Sequence, residues 1–238
     1  MREPQTYSSL EVIPAPILPQ SQAVLPPESK TTAVRAPAQI LSQPAPFSDV
    51  SLTVPVLSIL VRPRAGSITG SWSGLVARLI VGYRADGKGP DVVPNMNLMP
   101  VSAESLRTAV AVAARAVGYD SRYVTVRLLI PVKMDGPSAG GIMAVGIAAA
   151  LLGDPIRQDI CMSGTIEPTL EIKPVGRLVD KMNACRDLKK TTMIVPDGLD
   201  NSHLSFTGSE KAIHVIEVHT LAEAYSAATG QVLRQAGH

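Results

Sequence analysis

Asp135-Gly136-Pro137-Ser138-Ala139-Gly140 runs directly into an apolar stretch, AGGIMAVGIAAALLG (139–153), and the reading of this junction decides the fold. The stretch is apolar on every side, which predicts a buried helix. The Gly-Pro turn delivers Ser138 to the start of that helix, beside unpaired backbone N–H groups and the positive end of the helix dipole. Such groups can hold a developing oxyanion. The same position also suits an ordinary N-cap serine. A serine nucleophile needs a base, and the chain offers Lys181.

Working outward, strands alternate with helices. VLSILV (56–61) and GLVARLIVGY (74–83) read as strands joined by the turn AGSITGSWSG. SAESLRTAVAVAARAVG, from Ser102 to Gly118, reads as a helix with Ser102 as its N-cap. YVTVRLLIPV is a strand leading into the DGPSAG turn. DICMSGTI and TLEIKPV read as short strands. A helix is expected from Val175 to Lys189, then the strands TMIVP and AIHVIEV and the helix TLAEAYSAATG. This order implies an α/β (α+β) domain with mixed sheets and packed helices. Its expected span is 54–230, between an N-terminal tail (1–53) and a short C-terminal one (231–238). Nine prolines fall between Pro4 and Pro46 with no glycine before Gly66, which predicts an extended, disordered tail.

Composition narrows the function classes. Of the 238 residues, 45% are hydrophobic and 18% charged, enough for a sizeable core, but only 3% are aromatic. The core must be aliphatic, and base stacking on aromatic platforms is an unfavoured activity. The net charge of +2 calls for no nucleic-acid or anionic-membrane partner. Cys161 and Cys185 have no metal-ligand spacing and read as small core residues, with a disulfide between them left open. No metal site or cofactor is expected. No run has the length and character of a membrane span, and no signal peptide precedes the domain, so a cytoplasmic location is expected.

On the expected helix from Val175, the residues Val175, Leu178, Met182 and Cys185 mark the buried face. Lys181 sits at its shoulder, pointing partly inward. A lysine so placed ordinarily snorkels its amine to water. As a base it must be neutral, which requires burial, because desolvation penalises the ammonium form.

DGPSAG with its apolar helix, then MSGTI, then KPVGRLVDK, resembles the proteolytic domain of Lon proteases, peptidase family S16. The resemblance implies that Ser138 is the nucleophile. The family's catalytic lysine ends a motif of the form P-I-G-G-L-K-E-K. Pro174-Val175-Gly176-Arg177-Leu178-Val179-Asp180-Lys181 matches it in register, 43 residues after Ser138. Motif-level similarity covers about 135–196, and element order agrees over about 60–228. The family's M-T-G-E-I becomes Met162-Ser163-Gly164-Thr165-Ile166. Ser163 keeps a hydroxyl that would orient the lysine, while the acidic residue becomes Thr165, with Glu167 two residues on. Arg177 replaces a glycine and is expected to add bulk near the site. The strand before the turn carries no histidine.

The implied activity is ATP-independent serine endopeptidase action through a Ser138–Lys181 dyad. Backbone N–H groups around Pro137–Ala139 are expected to form the oxyanion site, although Pro137 has no N–H to give, with Gly136 a supporting residue of the turn. Asp135 orients the turn or simply caps it. The resemblance does not extend to the family's ATPase module, and a stand-alone proteolytic domain is expected. Expected partners are protein or peptide substrates, further copies in a homo-hexamer, and a separate ATPase or adaptor. A self-cleaving or polyprotein-processing protease and a non-catalytic interaction module on the same fold are the alternatives. GYRADGKG (82–89) approaches a phosphate-binding loop but lacks the final Ser/Thr and reads as a hairpin turn on Asp86-Gly87. A histidine base would have to come from His203, His214, His219 or His238, none of them in a recognisable catalytic motif.

Overall fold

A computed structural model describes residues 43–64, 67–198 and 213–236. The proline-rich segment to residue 42, His203 and His238 lie outside the described residues. Strand β1 (Val50–Arg64) pairs antiparallel with β2 (Ser67–Tyr83), which pairs antiparallel with β4 (Val124–Leu129). A short β3 (Asp91–Val92) adds to the far side of β4 in parallel. Alternation along the strands puts Val54, Val56, Leu79, Val81, Val126 and Leu128 on one buried face. Helices α1 (Pro100–Ala116) and α2 (Gly140–Leu152) pack together, and α2 also lies on β1 and β2.

The expected buried helix is α2: every residue from Gly140 to Ala150 is buried. Gly146 lets it approach the sheet, since a Cβ there would stand 2.7 Å from Leu79 Cδ2 and 3.2 Å from Val54 Cγ1. Both neighbours are core side chains with little room to retreat. Gly146→Ala is therefore expected to destabilise the domain by about 1–3 kcal/mol through overpacking, read as a lower urea midpoint at unchanged slope.

The second half builds a parallel sheet in the order β5-β8-β9, from β5 (Ile160–Met162), β8 (Thr192–Pro196) and β9 (His214–Val218). A two-stranded unit, β6 (Thr165–Ile166) with β7 (Ile172–Lys173), precedes α3 (Leu178–Asp187). A smaller core of Leu57, Cys161, Met182, Cys185, Met193 and Val195 lies beneath α3. Cys161 and Cys185 are fully buried there and joined as a disulfide, with Cα atoms 6.1 Å apart. The sequence favoured plain core residues and left this bond open. Helix α4 (Leu221–Thr229) starts at Thr220 with a capping box to Glu223 and ends at Gly230 in the left-handed conformation.

The mixed α/β class agrees with the sequence, but several local expectations need correction. Residues 67–74, expected within a turn, belong to β2, because the ladder with β1 continues to Arg64–Ser67 and holds this Ser/Gly-rich stretch extended. The turn at Asp86-Gly87 exists, but it does not close a hairpin: the chain crosses from β2 to the far edge of β4. Helix α1 starts earlier than expected, with Met99 as N-cap and Pro100 in its first turn, and Ser102 is a buried residue inside it. Helix α3 starts three residues late, because Arg177 turns left-handed (φ 60°) just after Pro174 and Gly176.

At the N-terminal side Phe47 packs edge-on against Tyr83 and Tyr119. Beyond α4, Arg234 makes a two-pronged pair with Asp154, and the Ala236 N–H donates to the Val117 carbonyl at 2.8 Å.

Candidate active site

The turn that presents Ser138 is fixed from both ends. Upstream, Met134 exchanges backbone hydrogen bonds with the segment before α1: its N–H donates to the Asn97 carbonyl at 2.7 Å, and its carbonyl accepts from Met99 N–H at 3.0 Å. Asp135 is exposed and accepts from the Gly136 N–H at 3.0 Å, so it caps the turn. Gly136 takes φ of +106°, a conformation that side chains strongly disfavour.

The next three carbonyls are each claimed. The Ser102 hydroxyl donates to the Gly136 carbonyl at 2.9 Å, and the Ser105 hydroxyl to that of Pro137 at 3.2 Å. Pro137 also accepts from Gly140 N–H at 2.9 Å. The Ser138 carbonyl accepts from Gly164 N–H at 2.9 Å and, more weakly, from the Ser163 hydroxyl at 3.4 Å. Gly141 N–H returns a bond to the Gly164 carbonyl at 2.9 Å. By contrast, among the described residues no acceptor takes the N–H of Ser138 or of Ala139. Two donors at the positive end of α2 thus flank the half-buried Ser138 side chain. Ala139 is the N-cap of α2, and Ser138 stands one residue before it, so Ser138 is not the capping residue.

Lys181 lies in the first turn of α3 and is only 2% exposed, deeper than a shoulder position. Desolvation lowers its pKa from 10.5 to about 8. The disulfide ties α3, four residues after Lys181, to β5, two residues before Ser163. Strand β5, the Ser163–Gly164 link and the Ser138 carbonyl therefore form a continuous path between the helix of the lysine and the turn of the serine. Ser163 is 1% exposed, and its N–H donates to the Ile194 carbonyl at 3.1 Å.

A family model of the Lon protease (S16) C-terminal proteolytic domain matches residues 83–228. The chain belongs to this family. Among curated relatives it is 30% identical to Lon protease 2 of Herpetosiphon aurantiacus over 47% of this chain and 15% of the relative. It is 30% identical to Lon protease of Erwinia amylovora over 56% and 18%, and 33% identical to that of Brucella abortus over 51% and 16%. These matches span less than a fifth of each relative's length.

Membership in the Lon proteolytic family supports a peptidase, and the departures from its motifs acquire physical reasons. A glycine suits the left-handed position that Arg177 occupies here. The Arg177 guanidinium turns outward, 65% exposed, and pairs with Asp180 at 2.7 Å. Thr165 begins β6, and Glu167 follows directly after it. No hydrogen bond joins His214 or His219 to Ser138 among the described residues. The His219 ring is engaged by Asp197 at 3.2 Å and Glu171 at 3.7 Å.

Sequence reasoning missed Ser105 and gave Ser102 the wrong role. The available signal was two hydroxyls three apart on the otherwise apolar face of α1. Ser102→Ala leaves the Gly136 carbonyl without its buried donor. A loss of about 1–3 kcal/mol is expected, measured by thermal or urea unfolding.

Proposed function

We propose that this chain is a serine endopeptidase that hydrolyses peptide bonds without ATP, through Ser138 and Lys181. Neutral Lys181 takes the Ser138 hydroxyl proton as the oxygen attacks the scissile carbonyl. The N–H groups of Ser138 and Ala139 stabilise the resulting oxyanion. The C–N bond then breaks, the lysine gives its proton to the leaving amine, and an acyl-serine remains. Water, deprotonated by the same amine, hydrolyses that ester and restores the serine. Ser163 orients the lysine while holding the Ser138 backbone.

One observation carries the reading: a lysine 2% exposed, its pKa lowered to about 8, stands in the family's register with the serine. Family membership supports protein or peptide substrates; the reading extends to a homo-hexameric ring, delivery by a separate ATPase or adaptor, and action in the cytoplasm. No described helix is long and apolar enough to cross a membrane.

The test is casein hydrolysis with and without ATP, together with labelling by a serine-reactive phosphonyl probe. Equal cleavage in both conditions and labelling at Ser138 are expected. Folded protein that takes no label between about pH 7 and 9 contradicts the reading and favours a binding module. An N-terminus that is intact in Ser138→Ala but trimmed in the wild type turns it into a self-processing enzyme.

A further inference from the structure

A cavity of about 230 Å³ opens immediately beside the Ser138 turn, between α1 and the start of the β6–β7 unit. Its volume falls below the usual range for small-molecule sites, so it suits one side chain rather than a whole ligand. Pro137 forms part of its wall, and consecutive Cα atoms are about 3.8 Å apart. On the protease reading, a side chain seated there would come from a residue close to the bond that Ser138 attacks. This inference rests on the protease reading above.

The chemistry of the wall selects the guest. Val101 from α1 is half exposed, and with Ile166, Pro137 and Pro168 it supplies apolar sides. Ser105, Thr108 and Thr165 add neutral hydroxyls, Glu104 from α1 and Glu167 from the opposite wall add two carboxylates, and no cationic side chain contributes to the lining. Two cations stand nearby. Arg107 pairs with Glu104 at 3.1 Å, but both side chains are more than half exposed, and such a pair is weak enough for a guest to displace. The Arg115 guanidinium is engaged by the Pro168 carbonyl. Glu167 also bears on the family comparison. It stands two residues after Thr165, where the family carries its acid, just past the end of β6, and both residues line the cavity.

We propose that this cavity is a specificity subsite for a lysine or arginine side chain flanking the scissile bond. The aliphatic stem lies along Val101, Ile166 and the prolines, and the cationic end reaches Glu104 and Glu167.

Binding of two peptides that differ only by lysine or norleucine at one position, measured on Ser138→Ala protein so that nothing is cleaved, tests this directly. The lysine peptide is expected to bind about fivefold or more tightly at low salt. That margin should vanish in the background of Glu104→Gln with Glu167→Gln, with circular dichroism confirming the fold. Equal affinity for the two peptides, scanned through each position, overturns the subsite. So does a margin that survives the double replacement. Cleavage sites mapped by mass spectrometry with active enzyme should show lysine or arginine at one flanking position. Ser138-dependent cleavage with no basic preference rejects the subsite alone. Absence of any cleavage counts against the protease reading, and the binding comparison still decides the subsite.

Discussion

Replacing Lys181 by alanine is expected to lower kcat/KM for peptide hydrolysis by about 10²- to 10⁴-fold, the usual worth of a general base, and Ser138→Ala should remove at least as much. The two losses should not add, because nucleophile and base act as a unit. Lys181→Arg is the sharper variant. It retains length and charge, but its guanidinium never deprotonates near neutral pH, so it should be as inactive as alanine. Near-wild-type activity in Lys181→Arg would show that the residue supplies only a positive charge. Fold retention, checked by circular dichroism, separates these outcomes from collapse of the turn.

The second large effect is on pH dependence, in rate and in stability. With its pKa lowered to about 8, Lys181 is about one-tenth neutral at pH 7 and about nine-tenths neutral at pH 9. kcat/KM is expected to rise through this range and level off above it. Stability moves in the same direction. Between about pH 8 and the ordinary lysine value of 10.5, the unfolded chain holds a proton that the folded chain has released. Unfolding free energy contributed by this group therefore climbs with pH across that window. The penalty of burying the ammonium, about 3 kcal/mol at most, is fully present below pH 8. Lys181→Met lacks this group. Its stability relative to the wild type should fall by about 2–3 kcal/mol between pH 7 and 10.5, measured by urea unfolding at both values. A constant difference would show that the lysine is not desolvated.

Much of this architecture was legible in the sequence, for identifiable reasons. Helix α2 was readable because its apolar character is uniform and its boundaries are marked by a Gly-Pro turn and Gly153. Thr220, Glu223 and Gly230 announced α4 in the same way. The junction of β2 with its neighbours was not readable. Pairing across Arg64–Ser67 overrides the turn preference of Ser, Thr and Gly, and the crossover to β3 depends on which edge of β4 is open. At the candidate site, motif spacing singled out Ser138 and Lys181 as candidates, but not how deeply the lysine is buried. Depth comes from the second core packed beneath α3, whose members lie on β1, β5 and β8, far apart in the chain. Likewise, nothing local to Ser105 announces a partner 32 residues away. Side-chain hydroxyls on an apolar helix face were the one available hint, and they pointed to the turn that presents Ser138.

The rate of Ser138 phosphonylation as a function of pH, in wild type and Lys181→Ala, tests the central claim most directly. Wild-type labelling should accelerate along a single ionisation near pH 8, and the alanine variant should label far more slowly with no such step. A wild-type rate that ignores pH across this range, or a variant that labels as fast as the wild type, would mean that Lys181 is not the base that activates Ser138.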